Sequence, residues 1–443
     1  TPSDGSILRY IGELKRRGIR VMFYPFILMD VGPGNGLVDP WTGGAPQPVF
    51  PWRGRITTSR APGVAGSSDT TPAAADEVAS FFGTATERHF EPAGDTVAYL
   101  GPPEHGLRRF ILHYARLCAM AGGVDAFCIG SELRGLTQIR SGRTTYPAVA
   151  ALRDLAGAVR RILGPRAKIG YAADWSEYFG HAPNDGSGDR LFHLDPLWAD
   201  RNIDFVGIDW YPPLTDWRDG ADHLDAAESP SIHDLGYLAS RLKGGEGYDW
   251  YYASEADRRE QVRTPITDGA YGEPWVWRPK DLRRWWSRRH HDRLGGVRQA
   301  TPTAWRPRSK PIWLTEIGCG AVDKGTNQPN VFVDPKSSEN ALPHFSTGAR
   351  DDLIQRRMLE AAETLWGDPV QNPVSPVYGR RMIDLDNVYV WTWDARPWPE
   401  FPVREEVWSD GDNWRLGHWI NGRITAVDLA ALVRDLCREG GVD

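Results

Sequence analysis

Short, nearly unbroken apolar runs alternate with amphipathic helical segments along most of this chain. That alternation constrains the fold more than any other feature. Residues 7–18 (ILRYIGELKRRG) carry apolar side chains at helical spacing and stop at Gly18, a natural helix terminator. The next run, 19–28 (IRVMFYPFIL), predicts a buried strand ending near Asp30. A helix at 107–121 precedes a strand at 124–130 that stops at Ser131-Glu132, and a helix at 149–163 precedes a strand at 168–175. Further strands are expected at 203–211, 312–316 and 388–393, the last after a helix at 351–366, and a final helix at 426–438. Strands apolar on both faces and separated by helices indicate a parallel sheet covered by helices, an α/β fold. No GxGxxG or GxxxxGK[ST] follows any strand, so a doubly wound nucleotide-binding sheet lacks its phosphate cradle and no cofactor is expected. A closed (β/α)8 barrel places its chemistry at the C-terminal ends of its strands. Here those ends carry Asp30, Glu132, Asp174, Asp209, Glu316 and Asp394.

Three long insertions interrupt the pattern. Residues 31–104 are rich in Gly, Pro and Ser with one short helical piece at 75–82, residues 215–309 are dense in Trp and Arg, and residues 395–425 add four more Trp. Loops of such length usually form lids or binding walls. The chain has 20 Trp; of those in the Trp-rich loops more than half are expected to pin the loops down, and the remainder suit the flat faces of sugars. His290-His291, among arginines, reads as a solvated helix face or an ion-pair partner rather than a metal site.

A formal charge of −6 argues against nucleic acid as partner, and no apolar run reaches the roughly 20 residues of a membrane span. Cys118, Cys128, Cys319 and Cys437 form no metal-type spacing and read as free structural thiols. The opening Thr1-Pro2-Ser3-Asp4 shows no signal segment and suggests a piece of something longer.

Two carboxyl groups facing each other suffice to cleave a glycosidic bond: one protonates the leaving oxygen while the other attacks or activates water. Glu132 and Glu316 each end an apolar strand beside a small or hydroxyl residue, and a barrel would bring both to one rim. As a general acid Glu132 needs its proton held by burial or a neighbouring negative charge. Tyr211 could support Glu316 from a neighbouring strand, or simply pack before Pro212-Pro213. Asp209 could bind a sugar hydroxyl or pair with an arginine, with pairing favoured; Asp174, Trp175 and Asp30 are candidate walls. Asp394, close before Arg396, reads as a structural ion pair. A metal-dependent hydrolase is disfavoured because no strand end carries a His.

The stretches RVMFYPFILMD (20–30), PWRGRIT (51–57), GVDAFCIGSELRGL (123–136), FVGIDWYPP (205–213) and WLTEIGCGA (313–321) resemble the TIM-barrel-like domain of gene transfer agent and phage tail proteins. More distantly, Ser131-Glu132 and Thr315-Glu316 resemble the acid/base and nucleophile positions of retaining (β/α)8 glycoside hydrolases, although Ser131 stands where that clan has Asn. The resemblance implies a single TIM-barrel domain over residues 1–443, with 20–30 as third strand and the first two strands upstream of this chain. It makes Trp391 or Trp393, on the eighth strand, a sugar-stacking residue. It further implies a polysaccharide substrate, other tail proteins as partners and a place in the tail of a phage-like particle acting on a cell envelope. A catalytically silent carbohydrate-recognition or structural module of the tail tip is the rival reading.

Overall fold

The computed structural model describes residues 3–332, 337–392 and 403. The chain divides into two compact units. The first comprises Thr1–Trp210, Thr267–Glu316 and Trp366–Tyr389, and the second comprises Tyr211–Ile266, Ile317–Leu365 and Val390–Asp443.

A six-stranded sheet organises the first unit. Its strands are β1 (Met22–Phe23), β2 (Ala126–Ser131), β3 (Lys168–Asp174), β4 (Phe205–Trp210), β5 (Ile312–Ile317) and β6 (Ile383–Val390), and they lie in chain order. The first three pairings are parallel, with Met22 opposite Ala126, Ala126 opposite Lys168 and Gly170 opposite Phe205. Sequential parallel order with helical crossovers is the order of a (β/α)8 barrel. The sheet is a partial TIM barrel with six of eight strands among the described residues.

Helices α1 (Asp4–Arg16), α2 (Pro72–Phe82), α3 (Leu107–Met120) and α4 (Pro147–Leu163) belong to this unit. The Ser3 side chain caps the start of α1, with Asp4 in its first turn and Lys15 and Arg16 in its last, as the helix dipole favours. Lys15 Nζ also donates to the carbonyls of Ala121, Gly122 and Gly123 beyond the end of α3. Pro147 sits in the first turn of α4, where its missing N–H costs nothing, and Gly164 ends the helix at φ 74°.

The sheet's core is built from alternate residues. Ala126, Cys128, Ala172, Phe205 and Trp313 form one buried cluster, with Met22, Tyr24 and Tyr389 packed against it. Phe205 stacks on Trp313 at 3.9 Å between centroids. It also lies over Gly170, where a Cβ would come within 2.3 Å of its ring.

Two expected strands differ. The run at 19–28 yields only two ladder residues, because Pro25 has no N–H to donate and breaks the pairing. The expected strand at 388–393 begins instead at Ile383, with three of its eight residues exposed; Asp384, Asp386 and Asn387, poor strand formers, read as loop in the sequence. The expected helix at 426–438, the insertion at 395–425 apart from residue 403, Cys437, Trp393 and Asp394 fall outside the described residues.

The Trp-rich insertion splits between the units at residue 266. In the first unit Trp275, Trp285, Trp286 and Trp305 are all buried. His290 lies among them, stacked on Phe192 and Trp305 and hydrogen-bonded to Asp195 at 2.9 Å. It is fully buried, which corrects the solvated-face reading and keeps the paired one. These rings anchor a loop; they do not line a groove. In the second unit Trp250 carries Arg263 over its face at 4.1 Å, and helix α5 (Asp352–Gly367) begins beside the His233–Asp351 pair. Cys118, Cys128 and Cys319 are buried free thiols, and no described helix is long and apolar enough to cross a membrane.

Candidate active site

Glu132 takes its position from a kink. The β2–β3 register shifts between Cys128 and Ser131, and Glu132 then adopts φ 48°, a left-handed conformation that a non-glycine residue holds only under tertiary constraint. The constraint is visible. The Glu132 N–H donates to Ala172 O at 2.8 Å, and the Leu133 N–H donates to the Tyr171 hydroxyl at 2.8 Å. Tyr171 in turn donates to Glu177 at 2.9 Å. Burial pushes the Glu177 carboxyl up to about 8, so it serves this scaffold largely as a neutral acid.

The bend delivers Glu132 to the ends of β4 and β5. Oxygens of Glu132, Asp209 and Glu316 all lie within 4.8 Å of one another, and all three residues are buried. By spacing alone three carboxylates could share a hard cation. Here a side chain supplies positive charge: Arg53 Nη2 lies 3.0 Å from Glu132 and 4.0 Å from Glu316. Arg53 also donates to the Ser131 hydroxyl at 2.7 and 3.1 Å and sits 4.7 Å over the Phe26 ring. The neighbouring carboxylates hold its guanidinium fully protonated despite burial. The Trp52 indole N–H donates to the same Glu132 oxygen at 2.7 Å.

Asp209 is completely buried. It accepts from the Tyr24 hydroxyl at 2.6 Å and from the Thr315 hydroxyl at 2.7 Å, two hydroxyls in place of the arginine expected from sequence. Burial and the two neighbouring glutamates lift its carboxyl well above the usual range, against the pull of both hydroxyls. Asp174, at the end of β3, is held at about 6 by burial and by the charge of Glu132, and its carboxylate accepts from the Ser176 N–H at 2.8 Å.

The other sequence candidates fall elsewhere. Trp175 is half-buried beside Asp174, while Asp30 is exposed and outside the hydrogen-bonded network around Glu132. Tyr211 opens the second unit, buried and edge-on to Phe332 at 5.6 Å. Trp391 follows β6, and its N–H donates to Ile317 O at 3.0 Å. Tyr24, Trp52, Arg53 and Thr315 were not singled out from sequence. Trp52 and Arg53 stand in the PWRGRIT stretch, inside a segment that reads as a Gly/Pro-rich insertion.

No curated protein gave a significant match to this chain. Among solved structures, a GH113 beta-mannanase from Alicyclobacillus acidocaldarius in complex with ManMIm aligns at TM-score 0.29 and 14% identity. That alignment covers 69% of this chain and 57% of the mannanase. The model of the GTA TIM-barrel-like domain family matches residues 105–402, well over half the sequence and including Glu132, Asp209 and Glu316. With its sequential parallel strands, the chain belongs to the family of GTA TIM-barrel-like domains.

Proposed function

We propose that this domain hydrolyses a glycosidic bond with retention of configuration. The observation that carries the reading is the short separation of the Glu132 and Glu316 oxygens, within 4.8 Å. Retaining enzymes hold their two carboxyls about 5–5.5 Å apart, whereas inverting ones leave about 6.5–9.5 Å for a water molecule. Glu316 is the nucleophile and attacks the anomeric carbon. Glu132 protonates the leaving oxygen and then deprotonates the water that releases the glycosyl-enzyme intermediate. The substrate is a cell-envelope polysaccharide or peptidoglycan glycan, met by the domain as part of a gene-transfer-agent or phage-like tail; the family's description supports that setting. Tyr211, Asp174, Trp175 and Trp391 are proposed as sugar contacts, with Trp393 and Asp30 as outlying candidates.

A second reading has its own observation. Trp52 and Arg53 already occupy a Glu132 oxygen, and a pair capped in this way suits a silent recognition module of the tail tip. The two readings separate on purified cell-wall glycans. The enzyme releases reducing ends, Glu316→Gln loses about three orders of magnitude or more of that rate, and glycan binding survives the substitution. If neither protein releases reducing ends and both bind equally, recognition is the function.

A further inference from the structure

Three buried carboxyls cluster in this site, and retention uses two. The third, Asp209, is the one least able to bear charge. Glu132 has a guanidinium at 3.0 Å and an indole N–H at 2.7 Å. Glu316 has the same guanidinium at 4.0 Å. Asp209 is wholly buried and its hydrogen bonds come from neutral hydroxyls.

Counting donors fixes the direction of the chain that reaches it. The Ser131 hydroxyl accepts from Arg53 Nε and Nη2, which fills both of its lone pairs. Its own proton therefore points to the Tyr24 oxygen at 2.6 Å, and the Tyr24 proton goes on to Asp209 Oδ2, also at 2.6 Å. The relay runs from Arg53 through Ser131 and Tyr24 to Asp209. A protonated carboxyl keeps acceptor capacity, so Oδ2 can accept from Tyr24 while Oδ1 carries a proton. Two further titratable groups face the trio: Asp174, held at about 6 by burial and by the charge of Glu132, and the Cys128 thiol, held neutral by burial and by Asp209 and Glu316.

We propose that Glu132, Asp209 and Glu316 share one proton, and that Asp209 stores it in the free protein and yields it to Glu132 for catalysis. The step balances as one proton moved: Asp209 becomes a carboxylate as Glu132 becomes an acid, and Glu316 stays ionised throughout. Asp209 is thus a positioning residue. The raised affinity of Asp209 for its proton, caused by burial and the two glutamates, agrees with this order.

The kinetic part of the proposal rests on the glycosidase reading; the proton's location does not. Infrared difference spectra between wild type and Asp209→Asn at pH 6–7 read the location directly. Glu177, neutral in both proteins, cancels in the difference; a protonated-carboxyl band that Asp209→Asn removes is expected, and a difference spectrum without such a band places the proton elsewhere and overturns the proposal. In the pH profile of kcat/KM, Asp209→Asn removes the anion that favours a protonated Glu132. Its alkaline limb moves about one pH unit or more toward acid, whereas a merely structural role lowers activity equally at all pH values. Should Asp209→Asn fail to fold, Tyr24→Phe tests the same point. It removes a donor that favours the Asp209 carboxylate, so the band persists to higher pH than in wild type; an unchanged or lower pH contradicts the relay. Loss of the band without glycan cleavage by wild type sinks the glycosidase reading alone. Cleavage with the band retained sinks the proton store alone.

Discussion

Glu177 shows how a carboxyl that touches no substrate can shape the site. It accepts from Thr137 and Tyr171, and Tyr171 accepts the Leu133 N–H just past the left-handed Glu132. Its folded proton affinity lies at about 8, against an ordinary value of 4.5. Between those values the folded protein holds a proton that the unfolded chain releases. The associated stability is therefore complete below about pH 4.5 and lost as pH rises through 8. Glu177→Gln, a neutral isostere, should flatten this dependence, so that melting between pH 5 and 8.5 falls by roughly 3 °C less than in wild type. Equal slopes would mean that Glu177 is charged in the folded protein. Sequence reading found Glu132 and Glu316 because each ends an apolar run. It missed Tyr24, Trp52 and Arg53 because nothing local marks a residue whose partner lies about 80 to 185 positions away.

At the level of elements, the short turn Arg53–Arg55 matters more than its length suggests. It carries Trp52 and Arg53 to Glu132, and it packs backbone to backbone on the helical turn Arg134–Thr137. At Gly135 a Cβ would meet Gly54 O at 2.6 Å and Ile56 O at 2.7 Å, both carbonyls with no freedom to swing aside. Gly135→Ala should therefore displace the turn while leaving Glu132, Asp209 and Glu316 chemically intact. The expected outcome is a protein that still folds, loses about 1–3 kcal/mol of stability and loses roughly 10–100-fold in kcat/KM. Unchanged kinetics would show that the Trp52–Arg53 pair plays no part. The strands were legible wherever both faces are buried, as in β2, β3, β4 and β5. They were misread at β1, where Pro25 interrupts the ladder, and at β6, where two Asp and an Asn among the apolar residues hide the strand.

Across the whole molecule, the Trp excess turns out to serve stability more than recognition among the described residues. Trp275, Trp285 and Trp305 surround His290, whose Nδ1 meets Asp195 and whose Nε2 meets Trp285 O at 2.7 Å. His290→Ala leaves Asp195 buried without this partner and opens a cavity between rings. It should cost about 3–5 kcal/mol, read from denaturant midpoints, with the proposed carboxylate pair unaffected. A loss below about 1 kcal/mol would contradict the anchoring role. The chain alternation made the barrel legible, but not the division of the Trp-rich insertion between two units, which no composition shift announces. The proposed cleavage of glycosidic bonds with retention rests on the close pair Glu132 and Glu316. Proton NMR of the first product released from a cell-wall glycan tests it most directly, before mutarotation scrambles the anomers. An anomer of the same configuration as the bond cleaved is expected, and an inverted anomer, or no product at all, overturns retention by this pair.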